Sequence, residues 1–218
     1  MPIDDPNAKP GKDLNWEAFL GDAPKRSFDV SRYFRWRMYE DYSGGPSTDL
    51  FPHCLTPVIH MLGVGMPSKV VALGGKYRYP EREIPDTYNT LIEYPNQLVI
   101  AVLGTQGNNY PGAPGRGGGR RAPVLRGWEG TLTVQGKKIV FLPAQGSKKK
   151  AQTFAIKHGD DFVEFWRTFL QCCRERKQQT LSPMDLAYRV QTPLQMGMLA
   201  LREETMAKFD AKQEKIIL

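Results

Sequence analysis

A carboxylate and an imidazole four residues apart, directly behind a glycine pair, are the side chains of this sequence best suited to chemistry. They lie in Gly44-Gly45-Pro46-Ser47-Thr48-Asp49-Leu50-Phe51-Pro52-His53. A helix over this segment puts Asp49 and His53 on one face, one turn apart. A histidine so held takes the proton of a substrate hydroxyl, while the carboxylate fixes its tautomer or binds a neighbouring hydroxyl. That is half of a hydroxyl-oxidising site. The same spacing also fits a plainer role, in which Asp49 stabilises a first helical turn and His53 is satisfied by local hydrogen bonds.

Just upstream, Arg32-Tyr33-Phe34-Arg35-Trp36-Arg37-Met38-Tyr39 interleaves aromatics with arginines and predicts a strand or extended segment with its aromatic side buried. Its guanidinium groups could hold a carboxylate, a sugar hydroxyl or a cofactor phosphate, or could simply flank core aromatics at the surface.

These residues need a scaffold, and 218 residues are enough to bury a real core. The expected organisation is a flexible lead-in over 1–13 followed by one domain over 14–218, with a mobile loop at 107–123. Three cysteines, Cys54, Cys172 and Cys173, lack the paired spacing of a zinc or redox site, so no metal is expected and a reduced compartment fits best. The opening Met1-Pro2-Ile3-Asp4-Asp5-Pro6 carries acid where a signal peptide needs base. No apolar run reaches the roughly 18 residues of a membrane span. A soluble, cytoplasmic chain is expected.

The net charge of +7 is concentrated in Arg116–Arg126 and Lys148–Lys150. Basic patches bind phosphate backbones. Here no aromatic ladder accompanies them, so a solvated loop is the better reading and nucleic acid is not the expected partner. The glycine-rich run through Gly115-Arg116-Gly117-Gly118-Gly119-Arg120 also lacks the strand, the helix and the G-x-G-x-x-G register of a phosphate-binding turn.

The elements follow from periodicity. A short helix is expected around Trp16, Phe19 and Leu20, and a longer one over Thr48–Met61, capped by Ser47 or Thr48 and kinked or stopped at Pro57. Strands are expected at Lys69–Arg78, Thr87–Tyr94 and Leu98–Gln106, and again around Gly130–Val134 and Lys138–Leu142. Leu98–Leu103 is apolar throughout, as a central strand covered on both faces would be. Two helices close the chain, Asp160–Lys177 with an aromatic stripe, and a second from Ser182 towards Lys208, bent near Pro193, with Met184, Met196, Met198 and Met206 as core filler.

Several segments in order resemble a known family. They are Arg32–Pro57, Met66–Ala72, Pro85-Asp86-Thr87 with Glu93-Tyr94-Pro95, Arg126–Leu132 and Phe209-Asp210-Ala211-Lys212. Together with the G-G-x-x-x-D-x-x-x-H signature they resemble the C-terminal domain of the glucose-fructose oxidoreductase and inositol dehydrogenase (Gfo/Idh/MocA) family, over roughly 200 residues. The resemblance implies an α+β domain with a large, mostly antiparallel sheet and helices packed on one face, the other face pairing subunits in a homo-oligomer. It implies a sugar or polyol substrate and NAD or NADP, the cofactor being bound by a preceding Rossmann domain. It places Asp49 and His53 at the positions that bind the reacting hydroxyls and assist proton transfer, with Arg32, Arg37 and Tyr42 as walls of the substrate site.

The G-x-G-x-x-G turn and the Glu-Lys-Pro lysine of the family have no counterpart in this sequence. Hydride transfer needs a nicotinamide fixed against the substrate carbon. The sequence therefore reads as the substrate and oligomerisation part of an oxidoreductase, inactive without a dinucleotide-binding domain such as a separate Rossmann chain would supply. The alternative is a non-catalytic carbohydrate-binding or assembly protein of the same fold.

Overall fold

The computed structural model of the protein describes residues 3–107, 123–156 and 162–218. The chain divides into two compact units, residues 1–108 with 188–218, and residues 109–187.

The first unit is built on a five-stranded antiparallel sheet in the order β3-β2-β1-β8-β9. Its strands are β1 (Lys69–Gly75), β2 (Thr87–Tyr94), β3 (Leu98–Thr105), β8 (Ala207–Asp210) and β9 (Lys215–Ile217). Alternation along β2 sets the two faces: Tyr88, Thr90, Ile92 and Tyr94 are buried, while Leu91 is exposed. Two helices cover the inner face, α3 (Phe51–Leu62) and the part of α5 (Met184–Arg202) that lies in this unit. Leu55 and Ile59 of α3 are buried, as are Val190, Leu194 and Met196 of α5. Gly197 gives α5 its close approach to β2, because a Cβ there would overlap the Tyr88 hydroxyl. An α+β fold with a mostly antiparallel sheet is thus the observed class.

Ahead of the sheet, α1 (Trp16–Leu20) is capped by Asn15, whose side chain accepts from Ala18 N. Its Trp16 and Leu20 form a small core with Leu14. The segment 30–38 is helical rather than extended. It forms α2 (Val30–Phe34) and a 3₁₀ turn over Trp36–Met38. The physical reason is Asp29, whose carboxylate accepts from Arg32 N at 2.8 Å and nucleates the first turn.

A second departure concerns β3, whose apolar run reads as a central strand. It is an edge strand, and Val99 and Leu103 on its outer face are exposed while Val102 alone is buried. The outer face of β1, β2 and β3 together presents Val71, Leu73, Leu91, Val99 and Leu103 to solvent. A run of apolar residues records that both faces of a strand are apolar, not that this chain covers both.

The second unit carries a four-stranded antiparallel meander of β4 (Leu125–Gly127), β5 (Gly130–Gln135), β6 (Lys138–Pro143) and β7 (Gln152–Ala155). Gly136, at φ +60°, makes the tight turn between β5 and β6. In α4 (Phe162–Glu175), Phe162, Phe165, Trp166 and Phe169 meet edge to face along one stripe. They are exposed, whereas Cys172 on the same helix is buried. Of the four methionines expected as core, Met196 and Met198 are buried, whereas Met184 and Met206 are exposed. The glycine- and arginine-rich run at 108–122 lies outside the described residues. No described helix is long and apolar enough to cross a membrane.

Candidate functional site

The glycine pair shapes the entry to α3. Gly45 has φ +60°, and a Cβ there would press to 2.8 Å from Cδ1 of the fully buried Ile84. Only glycine satisfies both conditions. The next five residues, Pro46–Leu50, form a π turn closed by Phe51 N donating to Pro46 O. Sequence periodicity predicts a regular helix capped by Ser47 or Thr48. Instead the turn is wider, and the helix proper begins at Phe51 and runs through Pro57 without stopping. Single π turns inside helices concentrate at functional sites.

The reason for the wider turn is visible in its anchors. Ser47 is completely buried, and its hydroxyl donates to the carbonyl of Leu194 on α5 at 3.0 Å. Phe51 is buried against Tyr88, with ring centres 5.5 Å apart, over the bare Cα of Gly104. With Ser47 and Phe51 both turned inward, Asp49 and His53 stay on the solvent side. Asp49 is partly exposed and His53 exposed.

Asp49 has a defined partner. Arg37 Nε donates to its Oδ2 at 3.0 Å, and the same guanidinium lies 4.0 Å from the centre of the Trp36 ring. The 3₁₀ turn and the π turn thus join at one charged pair, four residues before the exposed His53. A carboxylate steadied by an arginine accepts hydrogen bonds from hydroxyls in a fixed direction.

Arg32 is placed differently. Its Nη1 donates to Asp41 Oδ2 at 3.1 Å, its Nη2 is ion-paired with Glu83, and its guanidinium sits 4.3 Å from the Tyr39 ring centre. Asp41 also accepts from Arg26 Nε at 2.7 Å, and Arg26 foremost holds its carboxyl below the usual range. Glu83 in turn accepts from Glu40 N. Arg32 is therefore the hub of a network that ties α2 to the loop before β2. Tyr42 stacks edge to face on Phe19 and lines a cavity of about 340 Å³ with Ser43, Gly44, Thr48, Gln195 and Arg202. The structure brings Arg37 to Asp49, turns Arg32 to other carboxylates, and sets Tyr42 in the cavity behind the glycine pair. Glu83 escapes the sequence reading and Ser47 enters it only as a candidate cap, because their partners, Arg32 and Leu194, lie on chain segments that meet only in the fold.

The family model for the GFO/IDH/MocA C-terminal domain matches residues 19–138, just over half of the chain. The chain belongs to this family. Among solved structures, the GFO/IDH/MocA domain is similar to aldose-aldose oxidoreductase from Caulobacter crescentus complexed with glycerol, at 16% identity and TM-score 0.57, over 80% of this chain and 50% of that one. It is similar to an oxidoreductase from Agrobacterium radiobacter in complex with NAD⁺, L-tartaric acid and magnesium, at 12% identity and TM-score 0.54, over 83% and 53%. An NAD-binding protein from Listeria innocua matches at 16% identity and TM-score 0.55, over 79% and 50%. At these identities the likeness is one of fold. The chain spans about half the length of these structures. No curated protein matches it.

A dinucleotide site of the Rossmann type needs a parallel strand–helix–strand crossover with a glycine-rich turn at the helix N-terminus. Both described sheets are wholly antiparallel. The described residues do not supply that cradle. Nor do they contain a group of three or more His, Cys, Asp or Glu able to hold a metal ion.

Proposed function

We propose that this chain is the substrate-binding and oligomerisation part of an oxidoreductase acting on a sugar or polyol hydroxyl. The cofactor, NAD or NADP, is bound mainly by a domain not among the described elements, such as a separate Rossmann-domain chain. The observation that carries this reading is the Arg37–Asp49 pair at the mouth of α3, with His53 exposed four residues on. Family membership supplies its context.

In this reading His53 takes the proton of the hydroxyl that is oxidised, as a positioned imidazole can. Asp49 accepts a hydrogen bond from a neighbouring hydroxyl and sets the ring's orientation, and Arg37 keeps the carboxylate aimed. The exposed apolar face of β1, β2 and β3 supports self-association, since contiguous patches of this kind mark interaction surfaces. The cytoplasm is the proposed compartment.

The test is saturation-transfer NMR of the purified chain with a panel of aldoses and polyols. Transfer to one or more of them is expected, lost in Asp49→Ala and kept in a Lys212→Ala control. No transfer to any member, or transfer that Asp49→Ala leaves intact, refutes the site. Titration with NADH and NADPH, read by energy transfer from the four tryptophans, is expected to show no saturable binding. Saturable binding, or turnover of a polyol with either nucleotide, would show that this chain holds the cofactor itself.

A further inference from the structure

The cavity of about 340 Å³ behind the glycine pair lies wholly within the first unit, and neither Asp49 nor His53 lines it. Three pieces of chain close it: the loop before the glycines, Thr48 in the π turn, and a stripe of α5 made by Gln195, Met198 and Arg202. Spacings of three and four residues put these last side chains on one helix face. Gly44 opens the wall, since a Cβ there would overlap the Thr48 hydroxyl oxygen.

The polar groups around this space are largely unspent. The Thr48 hydroxyl and the Gln195 amide make no hydrogen bond among the described residues; only the main-chain carbonyl of Thr48 is engaged, by the Gln191 amide at 3.5 Å. The Tyr42 hydroxyl is buried with no partner in hydrogen-bonding geometry, although it lies close enough to Arg32 to favour the guanidinium's charge. Arg202 Nη2 stands 3.7 Å from Glu40 Oε2, too far for a hydrogen bond, which leaves donors on one side and acceptors on the other. Unpartnered polar groups gathered around a cavity call for water or a ligand.

The chemistry of the lining narrows the ligand. Among the described residues that line the cavity, Glu40 and Arg202 are the only charged ones, one of each sign. A charged ligand of either sign would meet one like charge there. Hydroxyls satisfy both, donating to the carboxylate and accepting from the guanidinium. Ile84 and Met198 add apolar surface on which the C–H face of a ring can rest. The volume lies at the lower end of the roughly 300–1,000 Å³ typical of small-molecule sites.

We propose that this cavity is the subsite for the non-reacting hydroxyls of a neutral sugar or polyol, and that Thr48 and Gln195 determine which one is accepted. The inference rests on the reading of Asp49 and His53 as the reacting end of that site. Thr48 and Asp49 are consecutive residues of the π turn, so the subsite and the reacting end adjoin along one short piece of backbone. One molecule held by both is fixed at two points. A hydroxyl missing or inverted at the subsite leaves Gln195 or Thr48 unpaired, which is how a polar wall rejects the wrong ligand.

The test is an NMR titration of the full chain with D-glucose, D-galactose, D-mannose and myo-inositol, then with the monodeoxy analogues of whichever binds most tightly. Gln195→Leu and Thr48→Val keep the shape of the wall and remove its hydrogen-bonding groups. Each is expected to weaken binding about tenfold with an unchanged unfolding temperature. The deoxy series separates specificity from structure. At one position the wild type should prefer the parent over its deoxy analogue by about tenfold, and Gln195→Leu or Thr48→Val by less than about twofold, because the same hydrogen bond is missing from either side. Binding that is lost in Asp49→Ala but kept within about twofold in both cavity variants would overturn the subsite and leave the reacting end standing, as would a deoxy preference that both variants retain in full. D-Glucuronate binding more than about tenfold tighter than D-glucose would overturn the neutral assignment and give Arg202 to a carboxylate. No binding of any of these sugars to the wild type would overturn the reading of the substrate site, and the subsite with it.

Discussion

Arg37 Nε donates to Asp49 Oδ2 at 3.0 Å while its guanidinium lies over the Trp36 ring, so one cation is held from two sides and is paired with the carboxylate four residues before the exposed His53. The side chains of Arg37 and Asp49 retain 46% and 37% of their exposure. Ion pairs this accessible contribute about 0–1 kcal/mol to stability. Arg37→Met should therefore shift the unfolding temperature by no more than about 2–4 °C. Polyol binding should weaken roughly tenfold, about 1.4 kcal/mol, because Asp49 loses its orientation. A large thermal shift with unchanged binding would make the pair a structural device and remove its role in the site.

Asp86 makes a second case in which charge and burial meet. It is fully buried just before β2, where Oδ2 accepts from Arg78 N and Tyr79 N at 2.8 Å each and Oδ1 accepts from the Thr87 hydroxyl at 3.0 Å. Burial alone would raise its pKa, but the donors from Tyr79, Arg78 and Thr87 outweigh it and hold the carboxyl below its ordinary 3.8. The folded value being the lower one, this group stabilises the fold above the unfolded pKa, and the contribution is lost as pH falls below about 4. Urea unfolding between pH 7 and 3 should show stability falling with acid, and falling less steeply in Asp86→Asn, which cannot titrate. At pH 7, Asp86→Ala should cost roughly 3 kcal/mol, since it strands buried donors. Identical pH slopes for wild type and Asp86→Asn would show that other carboxylates dominate.

These cases also show which parts of the molecule could be read from sequence. Strand β2 begins and ends where its alternation does, because Tyr88, Thr90, Ile92 and Tyr94 face a core that the chain itself provides. The stretch 30–38 misleads, because aromatics spaced along a strand and aromatics around a short helix look alike, and the deciding contact is one side-chain cap at Asp29. The glycine pair and the Asp49–His53 spacing were legible. The Arg37–Asp49 pair was not, as it spans twelve residues, and the Ser47–Leu194 hydrogen bond that turns Asp49 outward spans 147. Local pattern carries local geometry, and a site assembled from distant segments leaves no local trace.

Gly197 and Tyr88 offer a test of how α5 is seated. A Cβ at Gly197 would overlap the Tyr88 hydroxyl, although alanine is favoured over glycine in a helix by about 1 kcal/mol. Gly197→Ala alone should destabilise the protein by roughly 1–3 kcal/mol, as overpacked cores do. In a Tyr88→Phe background the obstructing oxygen is gone, and the same substitution should be neutral or mildly stabilising. The double-mutant cycle, measured by urea denaturation, should therefore give a coupling well above about 0.5 kcal/mol. Additive effects would mean that α5 relaxes away from β2.

The outer face of the first sheet carries the prediction with the widest consequence. Cross-strand neighbours Val71 and Leu91 are exposed, as are Leu73, Val99 and Leu103, and the Lys69–Glu93 pair at 3.1 Å borders them. Burying each large aliphatic side chain on such a face gains about 1.5–3 kcal/mol before the cost of association. A twofold-related copy laid face to face would place like residues against like and close the assembly. The chain should sediment as a dimer or larger at tens of micromolar, and Val99→Lys combined with Leu103→Lys should make it monomeric with an unchanged circular dichroism spectrum, since neither side chain contributes to the inner core. A wild-type monomer at those concentrations would leave the face without a self-partner. A double variant that still associates would move the interface to another surface.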